Sequence, residues 1–260
     1  MAKPLILVTN DDGITAPGLR HLIRYMRALG DVVVVAPDSP QSGMGHAITL
    51  DSTLYSKKVE IDREHGAPEE YSCSGTPADC VKLGLQEILT RKPDLCVSGI
   101  NHGSNSSINV IYSGTMSAAI EAGIEGIPAI GFSLCDYAWD ADFGPCREAV
   151  QQIAAQALRH GMPEGVVLNV NIPKTEGAAP KGIKICRQAR ANWKERFDKR
   201  TSPNGKDYYW LTGDFQLLDH GEDTDQWALD QGYVSVVPTQ FDLTAHHVIP
   251  QLNTWKLHES

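Results

Sequence analysis

Two adjacent carboxylates, Asp11 and Asp12, close the apolar run Leu5-Ile6-Leu7-Val8 and are followed at once by Gly13. Neighbouring like charges repel unless a cation or a donor offsets them, and paired hard oxygen ligands suit Mg²⁺ or Mn²⁺. Asp-Asp-Gly is also ordinary turn chemistry, so the pair by itself reads as a solvated turn as well. Three further stretches carry compatible groups. Ser42 lies in the polar loop Asp38 to Gly45, and Asn101 follows the run Asp94-Leu95-Cys96-Val97-Ser98-Gly99-Ile100. Ser113-Gly114-Thr115 precedes a small-residue helical stretch. A helix start with free N–H groups and hydroxyls suits a phosphate, although Ser or Thr as an N-cap needs no ligand.

The elements around these residues decide whether they can meet. An aliphatic run with β-branched Val8 reads as a strand buried on both faces, typical of a parallel sheet covered by helices. Leu19, Leu22, Ile23, Met26 and Leu29 then fall at helical spacing with Gly30 as the stop, and Val32 to Val35 forms a second buried strand. Strand, helix and strand within about thirty residues make a βαβ unit. Such sheets bind ligands outside the carboxyl ends of their strands, where Asp11, Asp12, Ser42 and Asn101 all fall.

Further along, Lys58 to Asp62 alternates as short antiparallel strands do. Thr76, Pro77 and Asp79 mark a helix start, with Val81, Leu85, Ile88 and Leu89 as its buried stripe before Pro93. A strand at 128–132, a helix from about Asp142 to His160 and a strand at 166–170 complete the body. Beyond Pro180 a basic run gives way to an acidic one. Between them Asn204-Gly205 and Tyr208-Tyr209-Trp210 predict a hairpin with an aromatic strand, suited to an intersubunit arm. Thr224 caps a short helix to Leu229, and Tyr233 to Val237 is a last strand. The expected division is a catalytic body over 1–180 and a segment over 181–260 that carries the arm at about 190–215.

The 260 residues suffice for one sizeable core, and no apolar stretch approaches the ~20 residues a membrane span needs. Met1-Ala2-Lys3-Pro4 runs straight into the first strand, which predicts a cytoplasmic chain with no secretion signal. Six scattered cysteines without metal spacing predict buried, reduced thiols. A formal net charge of -9 argues against binding a nucleic-acid polymer. The glycine spacing matches neither a dinucleotide fingerprint nor a P-loop, which counts against an NAD-dependent oxidoreductase.

Asp11, Asp12, Ser42 and Asn101 together form an oxygen shell for one divalent ion with open positions, and the helix start at Ser113-Gly114-Thr115 would hold a phosphate beside it. The ordered motifs Val8-Thr9-Asn10-Asp11-Asp12-Gly13, Gln41-Ser42-Gly43, Ser74 to Val81, Ser98-Gly99-Ile100-Asn101, Tyr112 to Thr115 and Gly232-Tyr233-Val234-Ser235 resemble those of the survival protein SurE family. The resemblance covers nearly the whole chain. It implies a Rossmann-like, doubly wound, mostly parallel α/β fold with a C-terminal β-hairpin arm that makes dimers or tetramers. It also implies a metal-dependent 5'-nucleotidase acting on nucleoside monophosphates, with possible breadth toward other phosphomonoesters or polyphosphate. Its metal ligands fall on Asp11, Asp12, Ser42 and Asn101, with Asp11, Asp12 and Asn101 catalytic. Its phosphate pocket would include Ser113, Gly114 and Thr115, and Asn10 is placed with it. His102 departs from the pattern and is given no role. The alternative is a phospho-receiver or nucleotide-sensing domain, which normally needs a third carboxylate where this chain has Ser42 and Asn101.

Overall fold

The first strand, β1 (Leu5–Thr9), shows why an aliphatic run specifies a two-sided core. Ile6 and Val8 face one hydrophobic cluster, Leu7 faces another, and all three are fully buried. Side chains alternate along a strand, so a strand covered on both faces must be apolar at every position. This computed structural model describes residues 3–62, 67–138, 140–255 and 257. Met1-Ala2 and residues 63–66 of the irregular stretch before Tyr71 lie outside them.

The cluster on one face is completed by α1 (Pro17–Arg27) and α4 (Arg147–His160), and that on the other by α2 (Pro77–Leu83) and α3 (Gly114–Ile124). The other strands are β2 (Asp31–Pro37), β3 (Ser56–Val59), β4 (Glu69–Cys73), β5 (Leu95–His102), β6 (Ala129–Leu134), β7 (Val166–Ile172), β8 (Ile183–Ile185) and β11 (Val234–Gln240). They join β1 in a nine-stranded sheet of order β3-β4-β2-β1-β5-β6-β7-β11-β8. The run from β4 to β7 is parallel. The chain winds outward from β1 through β2 to β4, then returns to lay β5 on the other side of β1. That reversal is a topological switch point, and it opens the crevice between the tips of β1 and β5.

Three expectations need correction. The helix predicted from Asp142 begins at Arg147, because Asp142 Oδ1 accepts the Gly144 N–H at 2.8 Å and Pro145 opens a 3₁₀ turn, Gly144–Cys146, ahead of it. The stripe through Leu89 is not one regular helix. α2 ends at Leu83 and widens into a π turn, Gly84–Ile88, at a glycine packed on Leu7 and Val35, leaving Leu85, Ile88 and Leu89 only partly buried. α1 ends at Arg27, three residues before the expected stop, although the Gly30 N–H still closes onto Met26 O at 3.1 Å.

The C-terminal strand β11 returns antiparallel on β7, and β8 runs parallel to β11. Between them β9 (Ala191–Thr201) and β10 (Asp207–Leu217) form a separate antiparallel hairpin. α5 (Asp225–Asp230) starts at Thr224, whose hydroxyl accepts the Trp227 N–H, and α6 (Ile249–Leu252) lies near the end. All six cysteines are free, five of them buried. Among the described residues no helix is long and apolar enough to cross a membrane.

Candidate metal and phosphate site

The residues after β1 are held by their own backbone. Asn10 is fully buried and its amide nitrogen donates to Gly13 O at 2.9 Å, which bends the acidic loop back on itself. Asn10 Oδ1 is buried without a partner. Asp11, 4% exposed, accepts the Thr115 hydroxyl on Oδ1 at 2.6 Å, and its carbonyl accepts the Gln41 N–H at 2.7 Å. The second bond brings the loop holding Ser42 against the acidic tip. Ser42 itself is exposed.

From β5, the His102 N–H donates to Asp12 Oδ2 at 3.2 Å. Asn101 is half-buried and commits its amide nitrogen to Gly103 O at 2.8 Å, which leaves its amide oxygen uncommitted. The register of β5 on β6 shifts between Ser98 and Asn101, an irregularity of the kind that re-aims a side chain at a strand end. Gly99, at φ +128, makes the shift possible: a side chain there would collide with Phe132 O.

The start of α3 completes the constellation. The Ser113 hydroxyl caps the helix by accepting the Met116 N–H at 3.0 Å. Gly114 lies so close to the first carboxylate that a Cβ there would sit 2.8 Å from Asp11 Cβ and 3.0 Å from its Oδ2. Thus Asp11, Asp12, Asn101, Gly114 and Thr115 are brought to one place. Asn10 lies beneath it and Ser42 follows the residue that binds it.

Electrostatics sharpen the picture. Burial and the neighbouring Asp12 charge push the Asp11 carboxyl up to about 6, against the lowering effect of the Thr115 hydroxyl. Burial also raises Asp12, partly opposed by the His102 N–H. A buried carboxylate beside a half-buried one, both raised by burial and the first also by its neighbour's charge, is a pair that a cation stabilises. The orphaned Asn10 oxygen adds an acceptor nearby, so the donor set fits a hard divalent ion. No group of three or more His, Cys, Asp or Glu converges among the described residues. A site here therefore takes two carboxylates, with neutral oxygens supplying the rest.

Two supports were not legible beforehand. His102 contributes through its backbone, and its Nε2 is buried without a partner. The loop 101–107 is held from below by buried amides: Asn105 N donates to Asn171 Oδ1 and its Nδ2 to Ser133 Oγ, while Asn169 Nδ2 donates to Asn105 O, each at 2.8 Å. The polar alternation in Val166-Val167-Leu168-Asn169-Val170-Asn171, within a buried strand, was the available signal.

A doubly wound α/β body brings a carboxylate pair and a helix start together at its switch point, an arrangement whose oxygens fit a divalent cation and whose helix start fits an anion beside it. The family model described as Survival protein SurE matches residues 6–195. The 5'-nucleotidase SurE of Christiangramia forsetii is 69% identical over 257 residues, covering 99% of this chain and 98% of that protein. The protein of the same name from Flavobacterium psychrophilum is 68% identical over 259 residues and 100% of both chains. Among solved structures, the SurE protein from Aquifex aeolicus superposes with a TM-score of 0.82 at 40% identity, covering 97% of this chain and 100% of its own. The chain belongs to the SurE family.

Proposed function

We propose that this chain is a metal-dependent 5'-nucleotidase that releases phosphate from nucleoside 5'-monophosphates, using Asp11, Asp12, Ser42 and Asn101 to hold one Mg²⁺ or Mn²⁺ per chain. The nucleotidase activity is the one its relatives are named for, at up to 69% identity along the full chain. The single observation that supports the site reading is the contact of the helix start with the carboxylate: Thr115 bonds Asp11, and Gly114 has no room for a side chain beside it. A phosphate at that helix start is therefore adjacent to the carboxylates.

A divalent ion bound there supplies charge to the phosphoryl oxygens and lowers the pKa of water. The chain's residues supply position. The N–H groups at the start of α3 meet charge developing on the equatorial oxygens. Asp12, fixed by the His102 N–H, or Asp11, fixed by Thr115, orients the attacking water and takes its proton. Activity on other phosphomonoesters and on polyphosphate belongs to the same reading, because the recognised group is the phosphoryl oxygens.

The hairpin β9–β10 is the oligomerisation arm in this proposal, making a dimer or tetramer. Phe197, Tyr209, Trp210 and Leu211 are each more than half exposed, an apolar surface that a second copy would cover. Residues 1–180 are the catalytic body and 181–260 the arm-bearing segment, and a cytoplasmic site of action fits free thiols. The test is phosphate release from a panel of nucleoside 5'-monophosphates after chelation, and again after adding Mg²⁺ or Mn²⁺. Metal-restored turnover is expected. No release from any ester with metal present would instead favour a phospho-receiver or sensor.

A further inference from the structure

A cavity of about 510 Å³, which includes neither carboxylate, opens at the same edge of the sheet, two residues beyond the His102 whose N–H binds Asp12. Ser104 and Ser106, after β5, Cys135, after β6, and Pro173, after β7, form its floor. It therefore lies over the tips of three successive strands next to β1. Inter-strand spacing puts β6 about 10 Å from β1, comparable to the reach from a 5'-phosphate across a ribose to its base. The volume falls within the range of small-ligand pockets, about 300–1,000 Å³.

The far wall comes from the root of the hairpin. Trp193 on β9 and Phe215 on β10 meet edge to face, with centroids 5.5 Å apart, and both rings are only partly buried. Trp193 Nε1 donates to Asn109 Oδ1 at 2.8 Å. Asn109 belongs to the 3₁₀ turn Ser107–Tyr112, which runs directly into the Ser113 cap. One segment thus leads from Asn101 along the cavity wall to the phosphate site. Gln226 closes the side, its Oε1 3.3 Å from the Ser106 hydroxyl. The lining offers aromatic faces, amide groups and the Asp230 carboxylate, and its one cation, Lys174, is paired with Asp136 at 3.0 Å. Such a wall suits a flat, uncharged heterocycle with hydrogen-bonding edges and disfavours a second phosphate.

We propose that this cavity receives the nucleoside half of the substrate, with the base against the Trp193 and Phe215 rings and the ribose over Ser104 and Ser106. The assignment rests on the nucleotidase reading of the adjoining carboxylates. It makes the hairpin root part of the specificity pocket, so the arm contributes to substrate recognition as well as to any assembly.

The experiment uses the full chain as wild type, W193A and F215L. It combines calorimetric titration with adenosine, which carries no phosphate, with hydrolysis of AMP and of ribose 5-phosphate. Adenosine is expected to bind the wild type, and both variants are expected to weaken it. Base stacking predicts a rise in KM for AMP of about tenfold or more in W193A, with kcat/KM for ribose 5-phosphate changed less than about twofold. F215L keeps the side chain's apolar bulk and decides the matter if W193A does not fold. Equal losses on AMP and ribose 5-phosphate in both variants, unaltered adenosine binding, or no adenosine binding to wild type at millimolar concentration would overturn the assignment. If no ester is hydrolysed but adenosine binding still depends on Trp193 and Phe215, the cavity assignment stands and the catalytic reading falls.

Discussion

The Thr115 hydroxyl donates a 2.6 Å hydrogen bond to Asp11 Oδ1, joining the first turn of α3 to the tip of β1 across 104 residues of sequence. The bond fixes which carboxylate oxygen stays available to a ligand. Partners of this kind cost about 10- to 100-fold in metal affinity or activity when removed. Thr115→Val should lower phosphate release by that factor and raise the metal concentration needed for half-maximal rate. Thr115→Ser should restore most of both. Full activity in the valine variant would remove Thr115 from the mechanism.

Gly114→Ala separates steric from helical effects. Alanine favours a helix by about 0.8–1 kcal/mol over glycine in a helix interior. Here, however, its Cβ would press on Asp11 Cβ at 2.8 Å and on Oδ2 at 3.0 Å. Activity should drop at least about tenfold, with no gain in thermal stability. A more stable, fully active alanine variant would show that the carboxylate moves aside freely.

Asp11 ties stability to pH. Burial and Asp12 raise its carboxyl to about 6 in the folded chain from an ordinary 3.8, so between about pH 4 and 6 the folded state binds more protons than the unfolded. Stability of the chelated protein therefore falls as pH rises through that window, by up to about 3 kcal/mol, and the loss persists above it. Asp11→Asn removes the buried charge. In chelator it should be more stable than wild type at pH 8, with the difference shrinking toward pH 4. Denaturant unfolding at both pH values reads this directly. A variant equally destabilised at both would contradict the sign.

The parts legible in sequence were those where side-chain type alone carries the information. β1 and β2 carry continuous aliphatic runs because both their faces are covered, and Asp11, Asp12 and Asn101 stand out as polar groups at or just beyond the ends of buried strands. Ser113-Gly114-Thr115 was legible as a cap preceding small residues. What escaped depends on pairings between distant residues or on strand direction. The antiparallel return of β11 on β7 leaves no mark in the hydrophobic pattern. The His102 amide on Asp12 and the meeting of Trp193 with Asn109 are long-range contacts that spacing does not encode. The late start of α4 turned on Asp142 bonding its own loop and on the 3₁₀ turn that Pro145 opens.

A second buried charge pair lies away from the site. Arg20 Nη1 is 2.8 Å from both Glu70 oxygens, linking α1 to β4, and both residues are buried. Burial still raises the Glu70 carboxyl despite Arg20, so desolvation outweighs the attraction. Arg20→Met should therefore cost about 3–5 kcal/mol by stranding Glu70, whereas Arg20→Met with Glu70→Leu should cost clearly less. A double-variant cost equal to the sum of the Arg20→Met and Glu70→Leu single costs, from denaturant midpoints, would show that the two side chains act independently.

Metal binding by Asp11 and Asp12 at the switch point is tested most directly by calorimetric titration of Mn²⁺ into the chelated protein. One ion per chain is predicted for wild type, with binding lost in Asp12→Asn while the far-ultraviolet spectrum is unchanged. Wild-type stoichiometry and affinity in the Asp12→Asn variant, or full phosphate release by wild type in excess chelator, would contradict it.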